Sequence, residues 1–210
     1  WPDNSVHYIK AVSKATFDLA GNPTRLVGVN YDITEQKDIQ MRLDKEASYD
    51  PLTRLPNRRL ITDRLKQAIT FADRNNKMMA ILFIDLDGFK KVNDVHGHHV
   101  GDWLLIEVSA RIQYCLRATD TVGRLGGDEF VVVLSDIDKN AEDVANKIRT
   151  ALKEPFVMDK GVILNISSSI GGAIYLQHAN NQTMLMECAD KAMYEAKKRG
   201  RDKVVMFADF

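Results

Sequence analysis

Residues 126–130, Gly126-Gly127-Asp128-Glu129-Phe130, decide how this chain folds. Thr121-Val122-Gly123-Arg124-Leu125 precedes them and Val131-Val132-Val133-Leu134 follows. Both flanks read as short buried strands, and adjacent glycines between strands signal a hairpin. Two acids follow the glycines, just before the apolar strand. An acid at a hairpin tip is cheaply solvated, so an ordinary polar turn would explain it. Glycines there also leave room for a ligand's phosphates to approach the backbone. A second acid-bearing strand end, Phe83-Ile84-Asp85-Leu86-Asp87, lies upstream. If both ends meet at one sheet edge, their carboxylates make an oxygen-rich site suited to Mg²⁺.

The chain around them is an ordinary globular mixture, 45% hydrophobic and 28% charged over 210 residues. That length holds one good-sized core, or one domain with an appendage. Lys+Arg and Asp+Glu both total 29, so the formal net charge is zero. No basic stripe for a nucleic-acid polymer is expected, although a single nucleotide needs only a local site. No apolar run approaches the roughly 20 residues of a membrane span, so no membrane contact by this segment is expected. The chain begins at Trp1 with no signal-peptide pattern. A fragment of a longer cytoplasmic protein is expected, with any membrane anchor lying upstream. Cys115 and Cys188 fall on apolar helix stripes and read as small buried hydrophobes, not as a disulfide or a zinc site.

Working outward, Val6–Asp18 and Leu26–Ile33 read as two strands joined by a turn at 19–23, a hairpin that is marginal alone. Residues 34–48 form a polar helix with Asp32 or Thr34 as its cap; Asp32 with Glu35 would make a capping box. Ile39 and Leu43 are its only well-spaced apolar pair, too few for a self-sufficient coiled coil. Asn57 caps a helix over about 58–73. Met78 to Ile84 is apolar throughout, a strand buried on both faces. A short helix over 89–95, a loop at 96–99 and a helix from about 101 to 116 follow. Beyond the central hairpin come a helix over 141–153 and a strand over 162–175, kinked or bulged at Gly171-Gly172. A long helix stops at Gly200, and a last strand covers 203–207. Strands and helices mix without strict alternation, which predicts an α+β fold with a mixed or mainly antiparallel sheet flanked by helices.

The residues allow a specific chemistry. A carboxylate at the end of a fully buried strand, such as Asp85, is costly without a partner or metal, although a strand-end acid is often only the first exposed residue. Two such acids at one edge fit metal-assisted phosphoryl or nucleotidyl transfer. Lys90 can neutralise phosphate charge or be a surface lysine. Asn93 and Asp102 have the acceptors guanine's N–H donors require, yet Gly101-Asp102 equally suits a helix N-terminus. Lys197 and Arg201 can reach a phosphate or serve a helix C-terminus.

From about residue 49 to 210 the sequence resembles the GGDEF domain of diguanylate cyclases. The resemblance rests on Asp50-Pro51-Leu52-Thr53 through Asn57-Arg58-Arg59 and on Phe83 through Lys90 with Asn93-Asp94. It continues through Gly97-His98 with Gly101-Asp102, the 126–130 signature and Ser169-Ile170-Gly171 to Ala189-Asp190 through Gly200-Arg201. Arg54, where the family usually has Gly, and Gly172, where an aliphatic residue is common, depart from the pattern. The resemblance implies a palm-like, nucleotidyl-cyclase-like five-stranded sheet, mainly antiparallel, and condensation of two GTP to cyclic di-GMP and two pyrophosphates. It implies Mg²⁺ (or Mn²⁺) on Asp85, the Leu86 carbonyl and Asp128. Asp128 also assists deprotonation of the ribose 3′-OH, Lys90 stabilises the transition state, and Glu129 is an electrostatic partner or second metal contact. Asn93, Asp102 and His98 hold the guanosine, and Lys197 and Arg201 the phosphates.

One guanine pocket per chain implies a homodimer, because each GTP attacks the other's α-phosphate across a two-fold axis. Arg117-Ala118-Thr119-Asp120, five residues before Gly126, resembles the family's RxxD inhibitory site for the product. Residues 1–33 with Asp32-Ile33-Thr34-Glu35-Gln36-Lys37 resemble the C-terminal hairpin of a PAS sensor leading into a signalling helix over 34–48. The competing expectation is an inactive domain that only binds cyclic di-GMP or GTP.

Overall fold

The computed structural model describes residues 6–137, 141–158 and 161–208, with the side chains of 42–46 left out. Leu43, half of the apolar pair expected on the first helix, therefore lies outside the described side chains. The chain divides into two compact units, 1–47 and 48–210.

The first unit is a two-stranded antiparallel hairpin, β1 (Ile9–Phe17) and β2 (Pro23–Asp32), followed by helix α1 (Thr34–Glu46). The Asp18 carboxylate accepts the Ala20 and Asn22 backbone N–H groups and so closes the turn. Asp32 accepts the Thr34 N–H at 2.9 Å, as expected of a residue at the helix entry. These hydrogen bonds and the His7 partner hold the Asp32 carboxyl down to about 2, the Thr34 bonds contributing most.

The second unit is built on a five-stranded sheet in the order β4-β5-β3-β8-β9. Its strands are β3 (Ala80–Asp87), β4 (Thr121–Gly126), β5 (Glu129–Leu134), β8 (Ser167–Ile174) and β9 (Lys203–Met206). Every pairing is antiparallel except β8 with β9. The apolar run of β3 is buried on both faces because helices cover both. Leu82, Ile84 and Leu86 pack in one cluster with Leu104 and Val108 of α4 (His98–Cys115) and Ile148 and Leu152 of α5 (Ala141–Lys153). Ile81 and Phe83 pack on the other face with Ile61 and Leu65 of α2 (Arg58–Asn75) and Leu185 and Met193 of α6 (Gln182–Lys198). Each such side chain contributes about 1.5–3 kcal/mol on burial.

The caps are local. Asn57 accepts the Leu60 N–H and starts α2, as its sequence position predicts, and Asn181 does the same for α6 through Met184. Helices α4 and α5 finish each other's C-termini. Arg111 of α4 donates to the carbonyls of Ala151, Glu154 and Pro155 and stacks over Phe156, while Lys147 of α5 donates to the Cys115 carbonyl. Both cysteines are buried and outside any disulfide. Among the described residues, no helix is long and apolar enough to cross a membrane.

Three expectations are corrected. The stretch 96–99 is not a loop: α3 (Phe89–His96) passes to α4 through Gly97 alone, so α4 begins at His98. The strand expected over 162–175 is two elements. Ile163–Leu164 is β7, paired with a two-residue strand β6 (Phe156–Val157) too short to show a period, and β8 follows. Gly171-Gly172 makes no bulge: the β3–β8 register runs unbroken from Ala80 opposite Ile174 to Asp87 opposite Ser167. Gly171 is needed instead for close approach. A Cβ there would lie 2.0 Å from the Met193 nitrogen and 2.3 Å from the Ala189 carbonyl oxygen, so α6 rests directly on the strand.

Candidate active site at one edge of the sheet

Antiparallel pairing brings the two acid-bearing segments to the same edge. Asp85 sits opposite Glu129 of β5 and Ser169 of β8, and the β4–β5 turn closes beside it. Gly126 pairs with Glu129, so the connection is the two residues Gly127 and Asp128, with Leu125 bulged out of register. Gly127 has φ 51, a value that an L side chain rarely takes, which explains the glycine at the first turn position. Asp128 therefore lies in the turn itself. Its carbonyl accepts the Leu86 N–H at 3.4 Å, joining the tip to the end of β3.

The electrostatics follow from that closeness. Burial, and then the neighbouring Asp85 carboxylate, push the Asp128 carboxyl above the usual range; Lys197 and Arg124 act in the opposite direction. Lys197, near the end of α6, places Nζ 2.6 Å from Asp85 Oδ2. Asp87, two residues on, is 6% exposed and fully engaged. It accepts from Ser167 and Ser169 Oγ at 2.8 Å each and from the Asp202 N–H at 3.1 Å, with Arg201 Nε 3.7 Å away. Arg201 and Asp202 both take left-handed backbone, φ 60 and 45, a conformation this acceptor helps to hold. Asp202 in turn bridges Arg149 and Lys153 of α5 at 2.6 Å each, and these contacts, Lys153 first, depress its carboxyl.

The donors suit a hard divalent cation: carboxylate oxygens at a half-buried edge, two of them close enough to repel. Among the described residues no group of three or more Asp, Glu, His or Cys side chains is gathered as a metal cluster. Backbone and phosphate oxygens would complete such a site.

A second group forms where α3 turns into α4. Asn93 Oδ1 is buried without a hydrogen-bond partner and lies against Gly101, where an added Cβ would come within 1.9 Å of it. His98 opens α4 and Asp102 follows one turn later, both exposed. Because α4 starts at His98, Asp102 is its fifth residue and not an N-terminal acid, which weakens the dipole explanation. Lys90 is exposed in the first turn of α3, directly after the β3 edge.

Arg117 and Asp120 lie at the opposite end of β4 from the hairpin tip, about 17 Å away for a strand of this length. The Asp120 carboxylate accepts the Arg117 N–H at 3.0 Å and the Ser135 N–H at 3.3 Å. A cavity of about 300 Å³ opens there, lined by Arg117, Asp120 and Ser135 with Asp143 and Val144 of α5.

The family model described as diguanylate cyclase, GGDEF domain, matches residues 47–203. This chain belongs to the GGDEF family. MucR of Pseudomonas aeruginosa, named a bifunctional diguanylate cyclase/cyclic di-GMP phosphodiesterase, is 47% identical over 162 residues, 77% of this chain and 24% of MucR. PdeR of Escherichia coli, named a cyclic di-GMP phosphodiesterase, is 42% identical over 188 residues, 89% of this chain and 28% of PdeR. Diguanylate cyclase TpbB of Pseudomonas aeruginosa is 39% identical over 167 residues, 79% of this chain and 38% of TpbB. A solved structure of the TpbB GGDEF domain alone superposes with a TM-score of 0.74 at 38% identity, covering 76% of this chain and 94% of that one. The chain thus spans well under half the length of these curated relatives.

Sequence reasoning missed how the GGDEF hairpin is anchored. Arg124, 11% exposed, donates to the Gly127 carbonyl from Nε at 3.0 Å and Nη2 at 2.7 Å, and to Asp50 Oδ1 from Nη1 at 3.0 Å. Asp50 Oδ1 also accepts from the Thr53 N–H and hydroxyl. Burial acts to raise the Asp50 carboxyl, but the Thr53 bonds and the Arg124 guanidinium outweigh it and leave it below the usual range. Alternation in β4 was the available signal: an arginine at a partly buried strand position needs a partner. Arg124→Ala should destabilise the second unit by about 2 kcal/mol, since it strands a half-buried carboxylate and a turn carbonyl. Arg124→Lys should recover only part, lacking the fork that spans both acceptors. Urea denaturation of the three proteins checks the order.

Proposed function

We propose that this GGDEF domain condenses two GTP to cyclic di-GMP, releasing two pyrophosphates. The observation that carries the reading is the meeting of Asp85 and Asp128 at one edge, with Lys197 against Asp85. Asp85, Asp128 and the Leu86 carbonyl would hold Mg²⁺ (or Mn²⁺), which when bound polarises phosphate oxygens and lowers the pKa of a coordinated hydroxyl. Asp128, with its raised carboxyl, helps take the ribose 3′-OH proton. Lys90 offsets charge on the transferring phosphate, and Glu129 acts electrostatically from the neighbouring strand. Asn93, Asp102 and His98 receive guanosine at the α3–α4 turn; the buried, unpartnered Asn93 Oδ1 fits a base that brings its own donors. Lys197 and Arg201 take the phosphates.

One guanine pocket per chain requires two chains face to face. With GTP and Mg²⁺, the initial rate should therefore rise faster than linearly with protein concentration; strict proportionality at all concentrations would remove the half-site arrangement. Cyclic di-GMP should inhibit through the cavity at Arg117 and Asp120, far enough along β4 that it need not block the GTP pocket of its own chain. Arg117→Ala should relieve that inhibition, and an unchanged inhibition curve would reassign the cavity. The name of PdeR keeps a second reading alive, a domain that binds GTP or cyclic di-GMP without turnover. Binding at micromolar nucleotide with no product formed would favour it.

For residues 1–33 the reading is the last hairpin of a PAS-type sensor, with 34–48 as the signalling helix. The exposed Val27, Val29 and Tyr31, which share one face of β2, support it, since such a face is what a larger domain would cover.

A further inference from the structure

Lys197 stands in two relationships at once. The function above assigns it to substrate phosphates, yet its ammonium lies 2.6 Å from Asp85, a carboxylate assigned to the divalent cation. Among the described residues no other ion pair reaches Asp85 or Asp128. Two like-charged carboxylates at a half-buried edge need a counter-charge, and this lysine supplies it. An ammonium held on this carboxylate opposes a divalent cation electrostatically and takes up one of its two oxygens, so it lowers the affinity of Asp85 for the cation.

We propose that Lys197 is a movable counter-cation: it competes with the divalent cation for Asp85, and the phosphates of the arriving nucleotide draw it away, so that cation and nucleotide bind cooperatively. The inference rests on the reading of Asp85 and Asp128 as the cation site.

The construction of α6 favours a side-chain switch over a helix movement. One turn before Lys197, the backbone of Met193 presses on Gly171 so closely that not even a methyl group would fit. Ala192 and Ala196 are fully buried on either side of that contact. After the helix, Arg201 donates its N–H to the Ala196 carbonyl and Asp202 is tied to Asp87. The helix is thus fixed at both ends of its last turn, while the lysine has a four-carbon stem and a compact charge that can swing between acceptors. Two neighbouring cations are engaged on the outer side of the helix end: Arg199 pairs with Glu195 at 2.8 Å and Lys198 lies 4.7 Å over Tyr194. Exchange of one acceptor for another conserves charge at the edge. Nucleotide phosphates take the lysine as the divalent cation takes the carboxylates. In the absence of nucleotide the lysine holds cation affinity down.

The test is Mn²⁺ binding to the nucleotide-free chain, read by the paramagnetic resonance signal of free Mn²⁺. Lys197→Met, close in length but uncharged, should bind Mn²⁺ at least about 10-fold more tightly than the parent chain, and Lys197→Arg should stay near the parent. Equal or weaker binding by the Met variant, with a parental circular dichroism spectrum, would overturn the proposal. Failure of the underlying reading looks different: Mn²⁺ binding that Asp85→Asn leaves unchanged would remove the cation site itself, and the competition with it.

Discussion

Asp128→Asn should lower cyclic di-GMP formation at least about 1,000-fold and leave the domain at least as stable as the parent at pH 7. The first half follows from what the side chain is asked to do. In the proposed function it shares the cation with Asp85 and assists the proton leaving the attacking hydroxyl, so its loss would remove two contributions that together exceed about 4 kcal/mol of barrier. The second half follows from the sign of its perturbation. Burial and the Asp85 charge raise the folded-state carboxyl above its unfolded value of 3.8. Over the window between those two values the folded chain binds more protons than the unfolded one, so stability falls as pH rises and stays reduced above it. An uncharged amide lifts that penalty. By the same raised carboxyl, wild-type cation binding should begin to fail at a higher pH, on acidification, than an unperturbed aspartate would cause. Thermal melts and turnover on one preparation check both halves. A dead variant that is also unfolded would show nothing about chemistry, and a variant retaining a tenth of the rate would remove Asp128 from the site.

Gly171→Ala should cost about 3 kcal/mol or more, the largest stability effect expected of any single added methyl group here. The new Cβ would meet the Met193 nitrogen at 2.0 Å, the Ala189 carbonyl oxygen at 2.3 Å and the Met193 Cα at 2.6 Å. All are backbone atoms of α6 and cannot rotate aside. The helix must lift, opening the packing of Leu185, Ala189 and Met193 on the sheet and carrying Lys197 away from Asp85. Gly172→Ala, one residue on, is the internal control. Its Cβ would meet the Met206 side chain at 2.5 and 2.7 Å and Leu82 Cδ2 at 3.0 Å, and a methionine can move. A cost of about 1 kcal/mol is expected there. Chemical denaturation of the pair measures the difference, and equal losses would contradict the account of why Gly171 is glycine.

Much of the second unit was legible in the sequence because its signals are periodic or local. The apolar run ending at Asp85 announced a strand covered on both faces, and the 126–130 glycines announced the turn. Asn57 and the stripes of α2, α5 and α6 set the helices within a few residues. What failed was what periodicity cannot carry. Two-residue strands such as Phe156–Val157 have no period. The single-residue Gly97 corner between α3 and α4 looked like a loop because His96 to His99 has no apolar pattern, yet Val100 and Leu104 are already core positions. Gly171 advertised a bulge when the cause was the backbone of α6 at Ala189 and Met193.

The site divided in the same way. The sequence offered the meeting of two acid-bearing strand ends only as a condition, and the β3–β5 pairing fulfils it. The resemblance, and not the spacing, carried Asn93, Asp102, Lys197 and Arg201. Neither revealed how those cations are disposed. Lys197 lies on Asp85, Arg201 faces Asp87, and the tip is tied through Arg124 to Asp50, 74 residues earlier. Long-range ion pairs of this kind depend on which strand ends the sheet places together, and so become visible only in three dimensions.

The most direct measurement is the identity of the product formed by the purified chain from GTP and Mg²⁺, resolved by chromatography and mass spectrometry. The proposed function predicts cyclic di-GMP with two pyrophosphates for each molecule formed, and none from ATP. GTP recovered intact from a folded, nucleotide-binding preparation at high protein concentration would contradict it.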